Sequence, residues 1–277
     1  MKNKWRILKI LITLILFGFL LNFSLKRFSN SRMDKISVRM IDPENEEKVY
    51  FIDEKNVIDF VKKANPSGRI GDIDIPNLER EIHRFPSVDS ANVFLNLNGD
   101  LNINIVQRIP AFRLHKNGEN FYVDTKGEEF PISKIYSHPV MLVSGEIPRD
   151  EYLPLIELVN RIKKDDFYKN YFIGISKEKG SYHLLTNDGH FKVEIGKLEK
   201  IDFKLKGFKE FVKRFLAYQN PEKYNKISVR FDNQIVTTLN PHYKANDSIL
   251  SSRKKDLEKN KETLEAQAVS TPPKTER

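Results

Sequence analysis

From Ile7 to Leu25 the chain is almost wholly apolar, broken only by Lys9, Thr13, Asn22 and Ser24. At helical rise, about 20 such residues cross the hydrocarbon of a bilayer. The pattern predicts a transmembrane helix over 7–25, after a stub at 1–6 and before a polar, basic linker at 26–35. Lys9 lies where its stem can snorkel and Trp5 where an aromatic belt sits. A cleaved signal peptide would need small residues at its end, and Leu21-Asn22-Phe23-Ser24-Leu25 lacks them. Charge barely orients the helix: Lys2, Lys4, Arg6 and Lys9 precede the apolar run, and Lys26, Arg27, Arg32 and Lys35 follow it. The free amine and the basic start favour an N-terminus in the cytoplasm.

Beyond the linker the period changes. Ile36, Val38 and Met40 alternate as a strand does. Val57, Phe60, Val61 and Ala64 form one helical stripe behind an Asp53 cap, and Leu78, Ile82 and Phe85 form another after Asp74 and Pro76. Ala91, Val93, Leu95 and Leu97, the turn Asn98-Gly99-Asp100, then Leu101, Ile103 and Ile105 predict a β-hairpin with one buried face. Residues 36–107 thus read as β-α-α-β-β, a small α+β domain with two helices on a three-stranded sheet.

Residues 108–240 read as a strand-rich domain. Strands are expected at 120–124, 128–131 and 139–144, a helix at 151–163, and a meander at 171–176, 181–186 and 190–195. A long helix at 198–218 then precedes a closing hairpin, 226–231 with 234–239. From His242 the composition turns polar and mixed in charge. The stretch 241–277 is expected to be a disordered or loosely helical tail, in which Leu250, Leu257 and Leu264 stand seven apart without alternate core partners.

Composition adds exclusions. The chain has 277 residues, a formal net charge of +9 and no Cys. Disulfides, thiolate catalysis and Cys-based metal clusters are therefore out. The positive charge is interspersed with 38 acidic residues and reads as a solvated surface, with no aromatic–basic stripe for nucleic acid. No His pair has zinc-enzyme spacing. His183 and His190 flank the Asn187-Asp188-Gly189 turn and read as exposed strand histidines. No nucleophile elbow or phosphate loop is present, and the carboxylate pairs 46–47, 128–129 and 165–166 fall in polar contexts. The reading is no enzyme, no cofactor, no metal and no small-molecule substrate.

The order of parts resembles the bacterial cell-division family FtsQ (DivIB). Phe85-Pro86-Ser87-Val88-Asp89-Ser90-Ala91-Asn92-Val93 matches the helix-to-strand motif of its POTRA domain. Leu101 to Ala111 matches the following strand, with Gln107 where the family usually has Glu. Tyr122-Val123-Asp124 with Gly127 and Phe130 matches the hairpin that opens the second domain. Leu184 to Gly189 with Gly196, and Ile227-Ser228-Val229-Arg230-Phe231, match later stretches. The resemblance implies a non-catalytic divisome scaffold in the inner membrane, its bulk outside the cytoplasm at the division septum. Its partners would be membrane-anchored division proteins like FtsB and FtsL. It further implies that the last strand, Gln234, Ile235, Val236, Thr237, Thr238 and Leu239, takes a partner strand. Arg230 and Phe231 would lie beside it, Phe231 as the aromatic anchor, and Lys177 or Lys179 would meet a partner carboxylate. By periodicity alone these residues read as an ordinary last hairpin. The alternative function is a POTRA-type chaperone for secreted or outer-membrane proteins, which usually carries several such domains or a barrel.

Overall fold

The computed structural model describes residues 2–41, 49–133 and 136–269. Contacts divide the chain into two units: residues 1–110 with 129–139, and residues 111–128 with 140–277.

The first unit begins with helix α1, Lys2–Asn30. Its span from Lys4 to Asn30 is long and apolar enough to cross a membrane, and none of it is buried within the protein. The expected linker is therefore partly helical, because nothing in Lys26-Arg27-Phe28-Ser29 breaks a helix. Strands β1 (Ile36–Ile41), β2 (Val88–Leu95) and β3 (Leu101–Gln107) form a sheet in the order β1-β3-β2, β1 parallel and β2 antiparallel to β3. Helix α2 (Glu54–Ala64) is capped by Asp53, which accepts from Lys55 N, and α3 (Ile75–His83) by Asp74, which accepts from Asn77 N. Val57, Val61, Leu78 and Ile82 meet Leu101, Ile103 and Ile105 in one core. The β-α-α-β-β reading holds. Leu97 is the exception: β2 ends at Leu95, so Leu97 leaves the buried face for the turn.

Gln107 explains itself here. It is buried, its Oε1 accepts from Phe51 N (2.9 Å) and Ile52 N (3.1 Å), and its Nε2 donates to Val49 O (2.9 Å). A carboxylate could take the two N–H groups but would set an oxygen against the Val49 carbonyl, so the amide is the matched group. The short strand β6 (Glu129–Pro131) and the residues after it group with this unit, where Phe51 packs edge-on to Phe130 and Tyr136. Glu46 and Glu47 lie outside the described residues.

The second unit carries β4 (Pro110–Lys116), β5 (Glu119–Asp124), β7 (Met141–Ser144), β8 (Phe172–Glu178), β9 (Ser181–Thr186), β10 (Lys192–Gly196), β11 (Tyr224–Ser228) and β12 (Val236–Leu239). They lie in the order β12-β11-β10-β9-β8-β7-β4-β5. β8, β9 and β10 form the expected antiparallel meander. Three neighbouring pairs are parallel, β4 with β7, β7 with β8 and β10 with β11. Parallel neighbours need crossovers; α4 (Tyr152–Lys164) lies in the one from β7 to β8 and α6 (Ile201–Arg214) in the one from β10 to β11. Leu155, Ile156, Val159 and Ile162 of α4 and Ile201, Leu205 and Phe208 of α6 pack on one face of the sheet.

Three details differ from expectation. β4 is a strand in its own right, because Pro110 opens it, a position that needs no ladder donor. The long helix is shorter, from Ile201 to Arg214, so Phe215 falls beyond it and is exposed. A further helix, α5 (Asp166–Tyr171), is capped by Asp165, whose carboxylate also pairs with Lys209 at 2.8 Å. Past the sheet, Asp247–Val269 forms helix α7, the helical one of the two forms expected for the tail. Its Lys, Glu, Leu, Ala and Gln are strong helix formers, which favours a helix even with Leu257 exposed.

Replacing Gln107 by Leu is expected to cost about 2 kcal/mol, since it strands three buried backbone groups. Urea denaturation of the detergent-solubilised chain measures it, and unchanged stability would show the Gln107 bonds to be dispensable.

Candidate partner-binding edge

β12 ends the sheet. Among the described residues it pairs with β11 alone, antiparallel, matching Thr238 with Lys226, Thr237 with Ile227 and Val236 with Ser228. Asn240 N, just past its end, donates to Lys223 O at 2.9 Å. The N–H of Asn240 therefore points toward β11. Backbone groups alternate along an antiparallel strand, so the N–H groups of Leu239 and Thr237 point away from the sheet. The strand is four residues long, shorter than expected: Gln234 and Ile235 precede it in the turn, with Ile235 packed against the core.

The side chains beside this edge make two recesses. One, of about 240 Å³, is mostly apolar, with Lys204, Asp232, Asn233 and Gln234 on its polar side. Phe203 of α6 (53% exposed) and Phe231 (40% exposed) face it, with Gly207, Val229 and Ile235 among its lining. The other is a polar groove of about 550 Å³ on the sheet face away from the helices. It reaches from Lys179 past His183 and Glu194 to Lys226, Arg230 and Thr238.

Glu194 organises that groove. It is buried, with Lys226 Nζ at 3.0 Å and Arg230 at 3.3 Å. Burial alone would raise its carboxyl. The paired cations Lys226 and Arg230 outweigh this and draw it down to about 2. Arg230 in turn lies over the Phe231 ring at 4.7 Å, which steadies the aromatic at the end of the strand pair. The backbone pairing runs on past β11, with Val229 N donating to Glu194 O. Gly196 permits this approach: it holds φ +76, and a Cβ there would come within 2.9 Å of Arg230 Cβ.

The two candidate lysines part company. Lys177 is 12% exposed, pairs with Glu151 at 2.5 Å and lies over the Tyr182 ring, so it is committed within its own unit. That pairing also holds Glu151 below its ordinary value against the opposing effect of burial. Lys179 sits in the β8–β9 turn, exposed at φ 51, and lines the same groove as Arg230 and Thr238. His183 is buried rather than exposed, its imidazole pushed down chiefly by that burial, and its Nδ1 finds no partner. His190 lies in the turn, half-buried. Among the described residues no three His, Cys, Asp or Glu side chains group as metal ligands.

Glu194 and Phe203 were not legible as site residues. Glu194 is one polar position in an alternating strand, and its partner Lys226 is 32 residues away. Phe203 stands outside the apolar stripe of its helix, which is the one sign that it serves a surface.

What stands here is a chain with one helix long and apolar enough to span a membrane and two α+β units, the second ending in an open sheet edge between an apolar and a charged recess. The model for the FtsQ/DivIB, C-terminal related family matches residues 109–238, from the start of β4 into β12. Over those residues the chain is similar to the FtsQ/DivIB family, a match that supports a role in cell division. No curated protein matches the chain.

Glu194→Gln is expected to destabilise the chain by about 1–2 kcal/mol at neutral pH, by leaving Lys226 and Arg230 without their shared carboxylate. The Glu194 carboxyl is lower in the fold, about 2 against 4.5, so its contribution is complete above 4.5 and disappears as pH falls through about 2. Denaturation curves for both proteins should converge over that window. A constant gap from neutral pH to pH 2 would refute the assignment.

Proposed function

We propose that this protein is a non-catalytic scaffold of the division machinery. Anchored once by α1 with its N-terminus in the cytoplasm, it presents both units outside the cytoplasmic membrane at the septum. There it holds membrane-anchored division proteins of the FtsB and FtsL kind. The observation that carries the reading is the open edge of β12 inside a unit matched to the FtsQ/DivIB family.

The mechanism is strand addition. A partner segment pairs with the outward backbone groups of Thr237 and Leu239 and extends the sheet by one strand. Backbone bonds supply adhesion without regard to sequence, so selectivity falls to the recesses. An apolar partner side chain fills the recess between Phe203 and Phe231, and partner carboxylates meet Arg230, Lys226 and Lys179 on the charged side. Lys177, already paired with Glu151, takes no part. Val236 and Thr238 present their side chains on the groove face of the strand, where Thr238 lines the charged recess.

Two measurements test this. Depletion should give filamentous cells with unfinished septa, and normal division after clean depletion would end the division reading. Thr237→Pro removes an outward N–H without removing a bond to β11. It is expected to cut partner co-purification from solubilised membranes at least about tenfold, the equivalent of one lost well-placed backbone bond at the upper end of its usual worth, with unchanged melting. Unaltered co-purification would rule out the edge.

A further inference from the structure

The end of α1 is built into the first unit rather than hinged to it. Ser29, in the last turn, packs so closely on Gly71 that a Cβ at Gly71 would meet Ser29 Oγ at 1.9 Å. The chain leaving the helix then pairs at once: Ile70 N donates to Ser31 O (3.0 Å), Met33 N to Gly68 O (2.8 Å) and Asp34 N to Gly99 O (3.2 Å). Gly99 lies in the β2–β3 turn, so two separate loops are fastened within four residues of the end of α1.

That geometry sets a height. The apolar run ends at Leu25, and the five residues to Asn30 rise only about 7.5 Å at 1.5 Å per residue. The headgroup layer of one leaflet is about 5–8 Å thick. A unit fastened to Ser29 and Ser31 therefore has its 68–71 and 96–100 loops at headgroup level. Two side-chain features of these loops are awkward in water and fit that place. Leu97, at the turn, is 96% exposed, more than any other large apolar side chain among the described residues. Arg32 and Arg69 face each other across an antiparallel bridge, both exposed. Like charges directly opposite repel in water, whereas anionic lipid headgroups draw basic side chains to the surface.

We propose that the first unit rests on the bilayer that α1 spans, with Leu97 dipped into the headgroup layer and Arg32 and Arg69 on its anionic lipids. The proposal relies on α1 crossing that bilayer. The helix then acts as a strut that fixes the unit's orientation, rather than a tether around which it swings.

The absence of Cys allows a direct test. Full-length Leu97→Cys, Ser90→Cys and Leu16→Cys proteins are spin-labelled and reconstituted in phosphatidylethanolamine–phosphatidylglycerol vesicles. Collision with oxygen is then compared with collision with a water-soluble nickel chelate. The Leu97 label should shift toward oxygen, as the Leu16 label in mid-helix does, while the Ser90 label near the far end of β2 stays with nickel. A buried Leu16 label with a Leu97 label as wet as that at Ser90 would overturn the proposal alone. A wet Leu16 label would overturn the anchor and the proposal together. Adding Gly71→Val, which breaks the packing on Ser29, should return the Leu97 label to water. A label still shielded in that variant would overturn the strut as the cause.

Discussion

Every backbone N–H and C=O in this chain must find a partner, and the places where partners run out shape the rest. Within a bilayer only an unbroken helix satisfies them all, and α1 runs uninterrupted through its apolar stretch. In the second unit the same requirement is met strand by strand until β12, beyond which no strand follows among the described residues. An exposed edge is ordinarily a liability that proteins blunt with short strands and charge. β12 is short and flanked by charge, yet its outward groups are left open between two shaped recesses. Under the strand-addition proposal, the features that limit promiscuous pairing also choose the partner.

Around that edge, energetics and recognition are joined in Glu194. A buried carboxylate is costly unless it is paired and hydrogen-bonded. Here its partners are Lys226 and Arg230, half-exposed cations at the rim of the groove. Glu194 thus holds in place the groups that face outward. Arg230 passes this order on to Phe231, so the charged and apolar sides of the edge are positioned by one buried acid.

The first unit shows a comparable economy. One amide, Gln107, ties the segment before α2 to the end of β3. The loops at the other end of β3 are fastened to the emerging anchor. Both devices act on backbone groups, so they constrain position with little dependence on neighbouring side chains.

Local pattern was enough for much of this. The apolar length of α1, the Asp53 and Asp74 caps, the alternation of β2 and β3, and the stripe of α4 are periodic signals within a few residues, and periodicity states which face is buried. The resemblance to the FtsQ/DivIB family rested on such local stretches. What depended on distance in the chain was not legible. β4 was hidden because Pro110 reads as a stop unless the neighbouring strand is known to need no donor from it. The commitment of Lys177 to Glu151 joins residues 26 apart, and the Glu194 cluster joins residues 32 and more apart. Leu97 looked like one more alternating position until the register of β2 against β3 ended at Leu95. The sequence by itself determined which segments become helices and strands, because propensity and period are local properties of the chain. Which strand is left at the edge, which cations face the groove and where α1 stops emerged only in the folded chain, because those follow from sheet order and packing between distant segments.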